Sequence, residues 1–94
     1  MLILKSSRND KKYMAIIGKQ KIHFGGNPNH PYYQYRDSTG LGLYSHLNHN
    51  DKNKRRLYLK RHHGVNTKRE ALKEELRNNN GRITAKYLST KYLW

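Results

Sequence analysis

Ten cations crowd residues 51–77: Lys52, Lys54, Arg55, Arg56, Lys60, Arg61, Lys68, Arg69, Lys73 and Arg77, against four acids. Like charges this close repel one another, and an anionic surface is what neutralises them. Their chemistry is electrostatic recognition, with a phosphate backbone as the default partner. Neutralising about six to eight phosphates would give a log–log salt slope near −5 to −7. An acidic protein surface would satisfy the same charges, so charge alone does not choose between them. A solvated helix face is the ordinary reading of such a run. The chain as a whole, with 20 Lys+Arg against 6 Asp+Glu and a net charge of +14, tips the balance toward a bound polyanion. No zinc-finger spacing, no clear helix-turn-helix pair and no aromatic ribonucleoprotein motif is present, so the expected contact is sequence-independent.

Aromatic and imidazole groups are the other candidates. Tyr32, Tyr33 and Tyr35 stand beside basic residues and could stack bases. Rings in such a setting more often pack or meet another subunit, so they are assigned to a protein interface, together with Tyr92 and Trp94. Six histidines invite a metal. His46 and His49 are three apart, His62 and His63 adjacent, and three such nitrogens could hold zinc. Without cysteine and with few acids the set is weak. The run His46-Leu47-Asn48-His49-Asn50-Asp51 hints at a His-metal nuclease, but Asp51 is better explained as a helix cap. Gly25-Gly26-Asn27-Pro28 lacks the Lys-Ser/Thr ending of a nucleotide loop. No cofactor, metal or catalytic activity is expected.

The elements that must carry these residues are short. Leu2-Ile3-Leu4, Tyr13–Ile17 and Lys21–Phe24 read as strands of a two- or three-stranded antiparallel meander over 1–26. A lone hairpin is marginal in water, so its apolar face needs a helix or a partner over it. Residues 27–50, which hold both prolines and a Tyr/Gly-rich stretch, read as an extended arm, with one turn at Leu43, Tyr44 and Leu47. Residues 51–94 read as two or three short basic helices. Asp51 caps a helix over 52–62 that Gly64 stops, with Leu57 and Tyr58 as its anchors. Thr67 and Glu70 form a capping box that opens a second helix with an apolar edge at Leu72 and Leu76, ended by Asn78-Asn79-Asn80-Gly81. A third helix over 83–93 places Ile83, Tyr87, Leu88 and Tyr92 on one side. The expected fold class is α+β in one small domain.

Composition bounds what such a domain can be. Leu, Ile, Val and Phe are 18 of 94 residues, a share that with this net charge borders on disorder; eight Tyr, one Trp and the Phe offset it. A chain of this size buries only roughly 60–65% of its unfolded surface, which leaves no room for a large dry core with an enzyme cleft cut into it. No apolar run of 18 residues exists, so membrane insertion is not expected, and Met1–Leu4 is too short for a signal peptide. The absence of cysteine fits a reducing compartment.

Three segments in order carry a resemblance: Lys21-Ile22-His23-Phe24-Gly25 at a hairpin end, Arg55-Arg56-Leu57-Tyr58-Leu59-Lys60-Arg61-His62 on the basic helix, and Leu88-Ser89-Thr90-Lys91-Tyr92-Leu93-Trp94. The chain resembles a family of short basic proteins encoded by large double-stranded DNA viruses of algae and amoebae, over most of residues 11–94. It departs from them in a longer Tyr- and Gly-rich arm at 32–47 and in stopping at Trp94. The resemblance implies a structural virion protein without enzymatic activity, a minor capsid or cement component. Its basic surface would face anionic capsid protein or packaged genome. Viral capsid proteins and double-stranded DNA are then the expected partners, without a small-molecule substrate and with self-association into a homo-oligomer left open. The expected location is the virion, and the host cytoplasm or nucleus during assembly. A free protein that coats or condenses DNA is the alternative.

Overall fold

Three short strands open the computed structural model, which describes residues 1–29 and 33–94. They are β1 (Leu2–Lys5), β2 (Tyr13–Ile17) and β3 (Gln20–Phe24), an antiparallel meander with β2 in the centre. The register sets Ile3 opposite Ala15, Ala15 opposite Ile22 and Tyr13 opposite Phe24. Successive side chains point to opposite faces of a sheet, so these residues and Ile17 share one face. That face is the core. Tyr13, Ala15 and Phe24 are buried there against Leu88 and Leu93, with Ile3, Ile17 and Ile22 packed at the margin.

The helical half follows its local signals. α1 (Lys52–His63) starts at Asp51, whose carboxylate accepts from the Asn53 and Lys54 amides at 2.9 and 3.2 Å, and stops at Gly64 in the left-handed conformation. α2 (Lys68–Asn78) opens with the capping box: the Glu70 amide donates to Thr67 Oγ1 at 3.2 Å, and that hydroxyl donates to Glu70 Oε1 at 3.1 Å. α3 (Ala85–Leu93) starts two residues inside the expected 83–93 and is capped by Thr84, whose Oγ1 accepts from the Tyr87 amide at 3.1 Å. The expected α+β class is present, with three strands and three helices among the described residues.

Burial corrects the sequence reading at three places. Leu57 does not anchor α1: it is 52% exposed, while Leu59 is buried at 1%. Tyr58, half-buried, anchors as expected. The two positions are 200° apart on a helix, so only one of them can face the domain. On α2 the buried residues are Ala71 and Glu75, with Leu72 and Leu76 only half-buried. Glu75 is held there because Asn79 Nδ2 and Thr84 Oγ1 donate to its Oε1 at 3.1 and 2.8 Å, tying α2 to the start of α3.

The third correction concerns the arm. The described part, residues 33–50, is a strap folded back over the end of α3. The Arg36 and Ser38 amides donate to the Leu93 and Tyr92 carbonyls at 3.1 and 2.8 Å, and the Gln34 and His49 amides exchange bonds with Leu47 and Gln34 carbonyls at 3.2 and 3.0 Å. Gln34, Tyr35 and Leu47 are buried, and a single 3-10 turn spans Ser45–Leu47, inside the turn expected near 43–47. The radius of gyration is 12.8 Å, against about 12.4 Å for a compact chain of this length. A projecting arm would have enlarged it.

Under the strap lies a buried lysine. Lys12 is 1% exposed and its ammonium donates to Gln34 Oε1 at 2.6 Å. Gly25 makes room for it: at φ +86 it takes a conformation open to glycine, and a Cβ there would stand 3.0 Å from Lys12 Cβ. Burial pulls the Lys12 pKa down from 10.5 to about 8, against the pull of the Asp37 carboxylate. The unfolded chain then binds more protons than the native one between pH 8 and 10.5, so stability rises with pH across that window. We expect a gain on the order of 2 kcal/mol, read by urea denaturation at pH 7.5 and 9.5. Lys12→Met should flatten the rise, and a rise unchanged in that variant would assign it to the other lysines.

Candidate nucleic-acid interface

The basic helices present two stripes. Lys52, Arg56 and Lys60 recur every four residues along one line of α1, and Lys54 and Arg61 form a second line seven apart. All five are exposed, and Leu57 lies between the lines. Lys52 and Lys54 sit in the first turn, which holds no acid of its own and has only the Asp51 cap before it. A helix N-terminus disfavours positive charge, so this placement costs folding energy that an outside anion can offset.

The ten expected anion-binding residues divide once their contacts are known. Arg55 lies over the Tyr35 ring, 4.5 Å from its centroid. The Lys68 ammonium donates to the Lys91 carbonyl at 2.6 Å, and burial lowers its pKa. Arg77 pairs with Glu74 at 2.9 Å. Arg55 and Lys68 are held by the chain itself, while Arg77 keeps an exposed side chain in a surface pair. Lys52, Lys54, Arg56, Lys60, Arg61, Arg69 and Lys73 are exposed, and none has an acidic partner among the described residues.

Beside the Lys54–Arg61 line the molecule opens into a cleft of about 590 Å³. α1 forms one wall through Leu57 and Tyr58. Gly25 and Gly26, where the chain leaves β3, and Tyr33 also line the cleft. Trp94 lies within, stacked on Tyr58 with ring centres 4.3 Å apart and planes inclined by 3°. Tyr58 is fixed in turn by Thr90, whose hydroxyl is 3.1 Å from the Tyr58 hydroxyl and 2.8 Å from His63 Nε2. Burial raises the Tyr58 pKa and lowers that of His63, so both groups are neutral at pH 7.

The residues assigned to a protein interface separate too. Tyr32 lies outside the described residues. Tyr33 is 59% exposed and available. Tyr35 is corrected: it is buried beneath the Arg55 guanidinium and edge-on to His49, so it is a core ring of the strap. Tyr92 is half-buried and packs toward Phe24, ring centres 6.2 Å apart. Trp94 is half-buried in the cleft. Tyr58 and Leu57 as cleft walls were not foreseen; the spacing Lys54, Tyr58, His62 on one helix line is the signal that points there.

His23, His49 and His63 serve the frame through hydrogen bonds. His49 Nδ1 accepts from the Asp51 amide at 2.9 Å, and burial, with Lys54 nearby, lowers its pKa. Among the described residues no three His, Asp or Glu side chains stand close enough together to hold a metal ion. No helix among them is long and apolar enough to cross a membrane.

The opposite side of the sheet is a second surface. Leu2 faces Ile16 and Leu4 faces Met14 across the β1–β2 ladder, on the side away from Tyr13 and Ala15. Leu2 is 56% exposed and Leu4 36%. Among the described residues α3 is the one helix that packs on the sheet, and it covers the other face. Comparison with protein-family models, with curated proteins and with solved structures returned no match to this chain.

Proposed function

We propose that the chain is a structural component of a large DNA virus particle, a minor capsid or cement-type protein. It would act as a bridge. The exposed cations of α1 and α2 seat on a polyanionic surface, and the outer sheet face seats on protein. The observation that carries this reading is the uncovered pairing of Leu2 with Ile16 and Leu4 with Met14 in a molecule of net charge +14. A protein that only coats DNA has no use for an apolar sheet face, whereas a component wedged among shell subunits does. The resemblance to small basic virion proteins supports the same reading. A nucleic-acid-coating protein is the second reading, and the aromatic cleft beside the Lys54–Arg61 line is the observation that favours it.

Purified particles test the proposal. The chain should be present at a fixed molar ratio to the major shell protein, and nuclease treatment should not release it. Leu2→Asp with Leu4→Asp, both exposed, should leave fold and polyanion binding intact and remove the protein from particles. A variable ratio, or full incorporation of the double variant, overturns the sheet face as the docking surface.

A further inference from the structure

We propose that the cleft holds one unpaired base of a single-stranded nucleic acid. Its ring would lie among Tyr33, Tyr58 and Trp94, and its flanking phosphates on Lys54 and Arg61. This rests on the reading of the basic surface as polyanion-binding and gives that surface a chemical preference it otherwise lacks.

Volume, ring supply and charge all favour this occupant. The cleft, about 590 Å³, lies within the roughly 300–1,000 Å³ of small-ligand sites. Tyr33 is 59% exposed and has no ring contact among the described residues, so it can cover a flat ligand. Tyr58 and Trp94 already form a parallel stacked pair, with Thr90 on the Tyr58 hydroxyl and the His62 and His49 rings packed 4.5 and 5.2 Å from Tyr58 and Trp94, so this wall is ordered before anything binds. Leu57, exposed at 52%, gives the entrance an apolar edge. Lys54 and Arg61 border the same cleft and have no acidic partner among the described residues.

Each alternative anion leaves part of this site unused. A duplex keeps its bases stacked inside and can offer the cleft only its phosphates. An acidic peptide satisfies the cations and leaves the rings wet. An unpaired nucleotide presents a π-face and a phosphate together, and every base has such a face, so the site carries no sequence preference.

Trp94 is the single tryptophan of the chain and reports directly on the cleft. Titration with oligothymidylate at about 0.15 M salt should quench its fluorescence by half or more. A duplex of equal length and poly-glutamate should bind without comparable quenching. Tyr33→Ala, at an exposed position, should weaken oligothymidylate binding about tenfold or more, measured by anisotropy of a labelled strand, and leave duplex affinity unchanged. Equal quenching by duplex or poly-glutamate overturns the inference, as does unchanged affinity in Tyr33→Ala. Duplex binding without a response to oligothymidylate sinks the base site alone. Loss of every polyanion would sink the parent reading with it.

Discussion

Reversal of Lys52, Arg56 and Lys60 to glutamate is expected to cut affinity for duplex DNA about 500-fold at 0.1 M salt. The three side chains form one exposed line on α1, away from the cleft residues Lys54 and Arg61. Each phosphate contact releases about 0.9 of a counterion, so three lost contacts remove about 2.7 from the log–log salt slope. Referred to 1 M salt, a slope difference of about 2.7 is about 2.7 decades of binding constant at 0.1 M. The wild-type slope should lie between about −5 and −7, and the variant's near −3. Stability should hold or rise, because the line is exposed, Lys52→Glu puts an acid at the positive end of the helix dipole, and self-repulsion falls. Affinity measured by anisotropy at several salt concentrations, alongside a thermal melt, checks both parts. An unchanged slope in a folded variant would place the polyanion elsewhere on the molecule.

Features carried by neighbours in sequence were legible, and features carried by neighbours in space were not. Asp51, Gly64 and the Thr67–Glu70 box act within one turn of chain, so residue type alone reveals the helix ends. Short apolar runs and the alternation at Lys21–Phe24 reveal a meander of two or three strands for the same reason. Choosing Leu57 over Leu59 failed because both are leucines, and only the position of the domain decides which is inside. Choosing Leu72 and Leu76 over Ala71 and Glu75 failed because hydropathy does not register a carboxylate satisfied by Thr84 nine residues on. The strap was missed on the same ground: Gln34, Asp37 and Asn48 look like loop polars until each is seen bonding to a residue at least seven positions away. The cationic face needed only counting. The cleft needed Tyr58 and Trp94, 36 positions apart in the chain, to be found stacked.

Asp37→Ala is expected to be the most destabilising single change in the strap, costing about 3–5 kcal/mol. Its carboxylate gathers four donors. The hydroxyl of the fully buried Tyr13 donates to Oδ2. The Thr39 amide and hydroxyl donate to Oδ1 at 3.1 and 2.6 Å, and the Tyr44 amide to Oδ2 at 3.4 Å. Burial would raise its pKa, but the bonds from Thr39 and Tyr13 outweigh burial and hold the carboxyl below its usual 3.8. The contribution is therefore complete at neutral pH and is lost as pH falls through that depressed value. Tyr13 mirrors it at the alkaline end. Burial, helped by Asp37, lifts the phenol to about 12, so stability declines between pH 10, where the unfolded phenol ionises, and 12. Removing the carboxylate strands the phenol in the core and frees the strap from the sheet, and the Tm should fall by about 15–25 °C for a domain of this size. Tyr13→Phe removes one donor and leaves Thr39 and Tyr44 on the carboxylate, so it should cost about 1.5–3 kcal/mol. In a double-mutant cycle the pair should be non-additive by at least about 1 kcal/mol, with Tyr13→Phe nearly free once Asp37→Ala is made and Asp37→Ala still costly after Tyr13→Phe, because the Thr39 and Tyr44 donors remain. Additive losses would show that the strap is held by Gln34, Tyr35 and Leu47 alone and that the Tyr13–Asp37 bond is dispensable.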